Sequence, residues 1–282
     1  MVADQYGDVI VMQLLSAGIE FWKDEIIEIM ADLTGTNTIY ERSDVQVRKL
    51  EGLDTQTGLL YGPDPDELVE IEEDSLRYWV DVRKGHKTGT YLDQKMNRIL
   101  IGKMCSGLSV LDCFSYSGGF SMQALKHNAE SVTLVDESGE ALQLAEKHIL
   151  SNGLPGEKMT LLQGDVFEIL RKFRDQARTF DAIILDPPKF APTASYKDKA
   201  ARGYKDINLL ALKLLKPGGL LATFSCSGGI SREFFLRILS GAALDAGVNA
   251  RIQLHMEQSA DHSVNLSFPE GTYLKGYVIR VD

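Results

Sequence analysis

The sequence predicts an α/β protein in which a mostly parallel sheet carries helices on both faces and follows a small α+β domain. Two observations lead to this prediction. From about residue 105 onward, nearly continuous apolar strand patterns alternate with amphipathic helical patterns. Before that point, short strand patterns surround one helical pattern and end in the acidic, turn-rich stretch YGPDPDELVEIEEDS. We therefore predict a small domain over residues 1–75 and a larger domain over residues 76–282.

The small domain opens with a strand pattern in GDVIVMQLLS. Apolar residues then recur at helical spacing and predict a helix that ends near Gly35. These residues are Ile19, Trp22, Ile26, Ile29 and Leu33. The stretches NTIYERSD and VQVRKLEG predict two further short strands. Because MVADQYG leads almost at once into the first apolar run, we expect this domain to be truncated at its start.

The larger domain contains a series of strand patterns, which are LSVLDCF, SVTLVDES, MTLLQGD, FDAIILDPP, LLATFSCS, ARIQLHME and YLKGYVIRVD. Helical patterns separate most of them, and these are GGFSMQALKHN, residues 139–151, residues 166–173, DINLLALKLLK and SREFFLRILSGAALDAG. In an open α/β sheet, ligands bind at the carboxyl ends of the strands. The residues of this sequence that suit chemistry fall at those ends.

The charge of the chain is unevenly distributed. The formal net charge is −10, yet residues 1–76 contain 4 basic and 18 acidic residues, whereas residues 77–282 contain 26 basic and 22 acidic residues. Basic runs lie at residues 77–103 and 196–205. A solvated surface is the usual role of such runs, but the second part of the chain also allows a phosphate-bearing partner.

The sequence argues against a membrane protein and against a metal site. No apolar run approaches the roughly 20 residues that span a bilayer, and no signal pattern opens the chain. Cys105, Cys113 and Cys226 have no CxxC spacing, and the five histidines have no metal-ligand spacing. We therefore predict a cytoplasmic protein with reduced thiols, no metal and no membrane partner.

The first two strand ends offer groups that suit a nucleoside ligand. In LDCFSYSGGFS, Asp112 begins a loop in which Gly118 and Gly119 let the backbone pass close to a ligand. The loop is not GxGxxG, which argues against a nicotinamide-dependent oxidoreductase. Asp136 ends the second strand, where a carboxylate suits a ribose diol. The following ESGE makes a helix N-cap an equally good interpretation of Asp136.

The next two strand ends continue the series. Asp165 in QGD either contacts an adenine amino group or caps the helix that begins at VFEIL. In DPPKF, Pro187 and Pro188 stop the strand and hold a rigid backbone beside Asp186. The four features, taken in order, resemble a class I S-adenosylmethionine-dependent methyltransferase.

Longer strings resemble one family of these enzymes, the bacterial ribosomal RNA large subunit methyltransferase I family, whose members form 5-methylcytosine in 23S ribosomal RNA. The strings are VDVRKGHKTGTYLDQKMNR, LDCFSYSGGFS, LDPPKF, RGYKDINLLAL, TFSCSGG and ADHSVNLSFPEGTYLKGY. The resemblance implies a Rossmann-like catalytic domain behind a small α+β domain. The family also carries an N-terminal PUA-type RNA-binding domain, which we expect this sequence to lack because it is expected to start inside the small domain. Ser263 departs from the family's ADHP.

The resemblance also implies the site. Cys226 of SCSG corresponds to the nucleophile, S-adenosylmethionine is the cofactor and 23S ribosomal RNA is the partner, with a homodimer left open. Cofactor contacts fall on Tyr91, Gln94, Asp112, Phe114, Ser115, Tyr116, Ser117, Gly118, Gly119, Asp136, Asp165 and Asp186. Tyr91 and Gln94 would close the cofactor pocket. Substrate contacts fall on Pro187, Pro188, Lys189 and Arg202.

The implied chemistry suits these residue types. Cytosine C5 is a weak nucleophile, and attack of a thiolate at C6 makes it reactive toward a methyl donor. Lys189 would favour the thiolate or bind phosphate, and Asp186 is one candidate to remove the C5 proton. Methylation of a nucleobase nitrogen is a rival prediction, which Lys189 after DPP and the presence of Cys226 disfavour. A non-catalytic RNA-binding protein with the same fold is a second rival.

Overall fold

The structure is a computed structural model that describes residues 1–190 and 197–282. The described chain divides into two compact units, residues 1–92 and residues 93–282. Over the described ranges, no helix combines the length and the apolar character needed to cross a membrane.

The division between the units lies beyond the predicted boundary near residue 75. The hairpin of β5 (Val69–Glu73) and β6 (Leu76–Val80) belongs to the first unit. Val69 and Val80 are buried in one apolar cluster with Tyr6. Burial of these side chains therefore joins the hairpin to the preceding sheet. The acidic, turn-rich sequence that contains β5 instead suggests the end of the small domain.

The first unit contains a four-stranded sheet in the order β1-β2-β3-β4. Its strands are β1 (Val2–Tyr6), β2 (Val9–Gln13), β3 (Thr38–Ser43) and β4 (Gln56–Tyr61). The predicted helix is divided at Trp22 into α1 (Ala17–Phe21) and α2 (Lys23–Thr34). Ile26, Ile27 and Met30 face the core, whereas Ile29 and Leu33 are exposed.

One predicted strand of the first unit is wrong. VQVRKLEG forms a 3-10 helix, Gln46–Glu51, that ends at Gly52 with a left-handed φ of 71°. Arg48 is buried and donates from Nε to the carbonyl oxygen of Asp54 at 2.6 Å, while Leu50 is exposed. The alternating apolar residues of this stretch therefore do not indicate a strand. The buried side chain is that of Arg48, and its hydrogen bonds stabilise it there.

The second unit contains a seven-stranded sheet in the order β12-β13-β11-β10-β7-β8-β9. Its strands are β7 (Ser109–Cys113), β8 (Ser131–Asp136), β9 (Met159–Gln163), β10 (Phe180–Leu185), β11 (Leu215–Ser225), β12 (Ala250–Met256) and β13 (Lys275–Val281). All neighbours pair in parallel except β13, which is antiparallel to both β11 and β12. The predicted mostly parallel α/β fold is confirmed.

Helices connect these strands. They are α3 (Lys95–Met104), α4 (Gly119–Lys126), α5 (Gly139–Ser151), α6 (Val166–Asp175), α7 (Lys197–Leu214) and α8 (Arg232–Ala246). The sequence pattern predicts all of them except α3, whose charged residues mask its apolar face. A buried cluster of Leu111, Ile183, Leu221, Ile207 and Phe235 joins the sheet to α7 and α8.

The strand order locates the ligand crevice. The chain proceeds from β7 outward through β8 to β9, then returns to β10 on the other side of β7. Such a reversal is a topological switch point, and ligands of open α/β sheets bind outside the carboxyl ends of the strands there. Asp112 lies near the end of β7, and Asp186 follows β10. The fold therefore places Asp112 and Asp186, two of the acidic residues that the sequence pattern predicts to bind a ligand, at this crevice.

Candidate active site

Asp112 is a buried carboxyl group near the carboxyl end of β7. Its Oδ2 accepts a hydrogen bond from Ser121 Oγ at 2.7 Å, and Oδ1 has no hydrogen-bond partner among the described residues. Burial raises the pKa of Asp112 to about 7; the carboxylates of Asp186 and Asp136 raise it as well, and the Ser121 bond opposes them. A buried, incompletely satisfied carboxyl group beside the switch point indicates a ligand-binding role.

The loop after β7 turns sharply. Phe114, Tyr116 and Gly118 all have left-handed backbone angles, with φ of 60°, 47° and 77°. A Cβ on Gly118 would lie 2.8 Å from Ala145 Cβ. A Cβ on Gly119, the first residue of α4, would similarly meet Arg98. The two glycines are thus required by close packing around the loop, a reason that the sequence pattern does not reveal.

The loop also holds two buried serines, Ser115 and Ser117. The Ser115 amide donates to the carbonyl oxygen of Val135 at 3.1 Å, and its Oγ has no partner among the described residues. The carbonyl oxygen of Ser117 lies 2.9 Å from Nδ1 of the buried His148 on α5. Contacts to β8 and α5 therefore fix the loop, and the Ser115 hydroxyl remains for a ligand.

Asp136 joins the end of β8 to this loop. Its Oδ2 accepts the Tyr116 amide at 2.8 Å, and its Oδ1 accepts the Ser138 amide at 2.9 Å. Ser138, rather than Asp136, caps α5 through a bond from the Ala141 amide. The N-cap interpretation of Asp136 is therefore wrong, and its carboxylate oxygens have further lone pairs for a ligand.

Asp165, unlike Asp136, caps a helix. It is the N-cap of α6, and its Oδ1 accepts the Glu168 amide at 3.1 Å. The structural interpretation of this residue is therefore confirmed. A contact from Asp165 to an adenine amino group stays a prediction.

Asp186 and the two prolines follow β10 at the switch point. Leu185, the last residue of β10, pairs with Cys113 on one side and with Thr223 of β11 on the other. Asp186 and Lys189 are accessible to solvent, as is Pro188, whereas Pro187 is buried. The rigid turn therefore presents Asp186 between the ends of β7 and β11.

An aromatic cluster, which was not predicted from the sequence, lies behind this turn. The ring of Phe190 lies 6.3 Å from that of Phe114, 5.8 Å from that of Phe167 and 4.8 Å from that of Tyr204. The cluster joins the loop after β7, the loop after β10, α6 and α7. Its only sequence signal is the aromatic residue that ends DPPKF.

Cys226 directly follows β11 and is partly accessible to solvent, whereas Cys105 and Cys113 are buried. Burial raises the pKa of Cys105 to about 12 and that of Cys113 well above its usual range, and the Asp112 charge adds to both effects. All three cysteines lie within the described residues. Cys226 is therefore the one cysteine of the chain that is accessible to a substrate, and the other two are inert core residues.

Three further residues surround Cys226 and were not predicted. Lys275, the first residue of β13, pairs with Ser225, and its Nζ donates to the carbonyl oxygen of Ser227 at 2.8 Å. The hydroxyl groups of Tyr204 and Ser227 lie 3.0 Å apart. A lysine that opens an apolar strand, in YLKGYVIRVD, was the available signal for Lys275.

The remaining predicted site residues lie apart from these strand ends in the chain. Gln94 is buried, and its Oε1 accepts Asn97 Nδ2 at 2.6 Å. Arg202 is exposed on α7. Tyr91 belongs to the first unit, where its hydroxyl lies 3.0 Å from His86 Nδ1. The roles of all three residues stay predictions.

Comparison with known proteins identifies the class. The family of S-adenosylmethionine-dependent methyltransferases matches residues 45–256, which contain the carboxyl ends of β7, β8, β9, β10 and β11 but not β13. In the solved structures, SMU.776, a candidate methyltransferase complexed with SAH, aligns with a TM-score of 0.86 and 26% identity. The alignment covers 99% of this chain and 71% of that chain. The protein is an S-adenosylmethionine-dependent methyltransferase.

Curated relatives narrow the class. A protein from Shewanella amazonensis is 49% identical over 278 residues, which cover 99% of this chain and 70% of the relative. One from Aeromonas salmonicida is 48% identical over 280 residues, covering 99% and 71%. Both are named ribosomal RNA large subunit methyltransferase I. This chain belongs to that family, as the sequence motifs predict.

The residues at the strand ends fit the cofactor, S-adenosylmethionine. Asp112 Oδ1 and Ser115 Oγ are buried polar atoms without partners among the described residues. Asp136 and Asp186 are close enough to Asp112 to raise its pKa. A ligand that carries a sulfonium and an ammonium charge would relieve the repulsion between these carboxylates. The hydroxyl and carboxylate acceptors also suit the hydroxyls of a ribose.

Proposed function

We propose that this protein forms 5-methylcytosine in 23S ribosomal RNA through a covalent adduct between Cys226 and the target cytosine. The observation that carries the proposal is the position of Cys226, an accessible thiol at the end of β11, next to the strand that presents Asp186. The names of the relatives support ribosomal RNA of the large subunit as substrate.

The proposed reaction begins with the thiolate of Cys226, which attacks C6 of the cytosine and forms a carbon–sulfur bond. The ring then carries electron density at C5, which would take up the methyl group of the bound cofactor as the sulfonium–methyl bond breaks and S-adenosylhomocysteine leaves. A base removes the C5 proton, the C5–C6 double bond forms again and the thiolate leaves. Asp186 is our candidate for that base, because it lies at the end of the neighbouring strand.

The other predicted substrate residues suit a nucleic acid. Lys189 and Arg202 are exposed cations that would bind phosphate groups. The buried Pro187 and the exposed Pro188 hold the turn that would meet the base. A cytosine within a helix does not reach such a site, so the substrate base must be single-stranded or extruded.

Methylation of a nucleobase nitrogen has less support. That chemistry needs no thiol, and its usual site places an aromatic residue directly after the prolines. Here Lys189 occupies that position, and Phe190 is packed against Phe114, Phe167 and Tyr204. Phe190 is therefore engaged within the protein.

The test uses purified protein, S-adenosylmethionine and unmodified 23S ribosomal RNA, with the products analysed by nucleoside mass spectrometry. Cys226→Ala should bind the cofactor as the wild type does, yet form at least about 1,000-fold less 5-methylcytosine, because the attacking group is absent. Cys105→Ala, which removes a buried thiol, is the matched control and should retain activity.

A second readout tests the adduct itself. RNA that contains 5-fluorocytosine should remain covalently bound to the wild type, because fluorine at C5 cannot leave as a proton does, and should not be trapped by Cys226→Ala. Undiminished 5-methylcytosine formation by Cys226→Ala would overturn the nucleophile assignment. Appearance of methylguanine or methyladenine instead would favour the nitrogen reaction.

A further inference from the structure

Lys275 is a buried lysine beside the proposed nucleophile, and the reaction described above gives it no role. Only 6% of its surface is exposed. Because β13 runs antiparallel to β11, Lys275 lies opposite Ser225, the residue before Cys226. Its Nζ reaches past Cys226 to the carbonyl oxygen of Ser227 at 2.8 Å. The lysine therefore spans the turn that contains the thiol.

The surroundings of Lys275 are unusual for a buried lysine. A buried ammonium group normally pairs with a carboxylate, since burial of an isolated charge is costly. Among the described residues, Lys275 bonds to a carbonyl oxygen and makes no ion pair with a carboxylate. The pKa of Lys275 is lowered to about 8, mainly by burial, and the cations of Arg232 and Lys189 contribute to the lowering.

One neighbouring group acts in the opposite direction. A thiolate at Cys226 would raise the pKa of Lys275, so the group that favours the ammonium form is the proposed nucleophile. The effect is reciprocal, because an ammonium group favours the thiolate form of a cysteine as much as the thiolate favours the ammonium form.

The turn is held from a second side. Ser227 is fully buried, and its hydroxyl lies 3.0 Å from the hydroxyl of the buried Tyr204. Tyr204 in turn packs against Phe190 and Phe235. Burial raises the pKa of Tyr204 to about 12, so this hydroxyl is neutral at physiological pH. Tyr204 therefore contributes position, and Lys275 contributes position and charge.

Resting on the proposed function, we propose that Lys275 is a positioning residue that stabilises the thiolate of Cys226 and fixes the Cys226–Ser227 turn through the Ser227 carbonyl group. The thiolate is thus prepared before the substrate arrives. Lys189 and Arg232 add positive charge from the loop after β10 and from α8, but Lys189 is exposed and Arg232 pairs with Glu257 at 2.7 Å. Lys275 is the buried cation of the three.

Alkylation of Cys226 by iodoacetamide tests the proposal without RNA or cofactor. The pH dependence of its rate, followed by peptide mass spectrometry, reports the pKa of the thiol, and the buried Cys105 and Cys113 do not compete. Lys275→Met removes charge and hydrogen bond, whereas Lys275→Gln removes the charge and keeps a donor. Both should raise the thiol pKa by about one unit and slow alkylation at neutral pH about tenfold.

Two variants serve as controls. Lys275→Arg keeps the charge at all accessible pH values and should retain a lowered thiol pKa. Lys213→Met removes an exposed lysine of α7 and should match the wild type within about twofold. Identical profiles for Lys275→Met, Lys275→Gln and the wild type would overturn the proposal, and thermal melting of each variant verifies that it is folded.

Methyl transfer gives the second readout. Lys275→Gln should lower kcat about tenfold with the affinity for the cofactor unchanged, and should lower the rate of trapping by 5-fluorocytosine RNA to the same degree. If Cys226→Ala retained methylation, the proposed function would fail while the alkylation profiles still tested Lys275. If alkylation changed but methylation did not, the role of Lys275 in the reaction would be refuted.

Discussion

The two halves of the catalytic sheet edge differ in charge. The strands β7, β8 and β9 end near Asp112, Asp136 and Asp165. On the other side of β10, β11 leads to Cys226, and β13 starts with Lys275. We call the first the acidic half and the second the basic half. In each half the buried group is less readily charged than usual, since the pKa of Asp112 is raised and that of Lys275 is lowered.

This contrast would allow one site to accommodate the two unlike reactants of the proposed reaction, the cofactor and the RNA. The acidic half favours a cationic ligand and the basic half favours anions, namely a thiolate and phosphate groups. Asp186 and Lys189, which lie three residues apart after β10, mark the border. Substitutions in the acidic half should therefore change the affinity for the cofactor and leave the reactivity of the Cys226 thiol unchanged. Substitutions in the basic half should change the reactivity of the thiol and leave the affinity for the cofactor unchanged.

The largest stability effect is expected from Asp112→Asn. The pKa of Asp112 is raised from 3.8 to about 7, so the folded state binds an extra proton between these values and loses stability as the pH rises from 3.8 to about 7. The asparagine variant does not ionise. Relative to the wild type, its free energy of unfolding should gain of order 2–4 kcal/mol at about pH 8 and little at about pH 4.

Urea unfolding at both pH values measures this gain, and cofactor affinity should fall in the same variant. Glu130→Gln, which neutralises an exposed carboxylate, should show no such dependence on pH. An equal stability difference for Asp112→Asn at the two pH values would contradict the prediction. Unchanged cofactor affinity would remove Asp112 from the acidic half of the site.

The next effect is expected from Asp136→Ala. The variant loses two charge-assisted bonds, from the Tyr116 and Ser138 amides, together with its acceptors for a ribose. Affinity for the cofactor should fall about 10- to 100-fold, equivalent to about 1.5–3 kcal/mol, in isothermal titration calorimetry. Glu137→Ala, next to it and exposed, is the control. A changed alkylation profile of Cys226 in Asp136→Ala would break the separation between the halves.

The smallest effect is expected from Tyr204→Phe. It removes the hydroxyl that bonds to Ser227 Oγ and should cost about 1 kcal/mol of unfolding free energy and a few-fold in kcat, with cofactor affinity retained. A double-mutant cycle with Ser227→Ala measures whether the two hydroxyls act together. Additive effects would show that they do not, and the hydrogen bond between them would then have no part in holding the turn.

The acidic half of the site can be predicted from the sequence better than the basic half. Asp112, Asp136 and Asp186 lie at or next to the ends of buried apolar strands, and the end of such a strand can be predicted from the end of its apolar run. Whether an acid caps a helix depends on one hydrogen bond, which is why Asp136 and Asp165 have the same sequence pattern and different structural roles. The strand predicted in VQVRKLEG was wrong because burial of Arg48 depends on distant partners.

The basic half depends on contacts that sequence spacing does not show. Ser227 meets Tyr204 across 23 residues and Lys275 across 48 residues. The register that puts Lys275 opposite Ser225 follows from an antiparallel strand inserted between β11 and β12. A mostly parallel sheet can be predicted from its apolar strands, but the insertion of this strand and its register cannot.

That inserted strand also sets an order of assembly. The strands β7, β8 and β9 are consecutive in the chain and adjacent in the sheet, so the acidic half needs only pairings between successive strands. The pairing of β11 with β13 joins strands that β12 separates in the chain, and pairings of higher sequence separation tend to form more slowly. We therefore expect the pairings of β7, β8 and β9 to form early in folding, and the pairing that brings Lys275 to the turn containing Cys226 to form later.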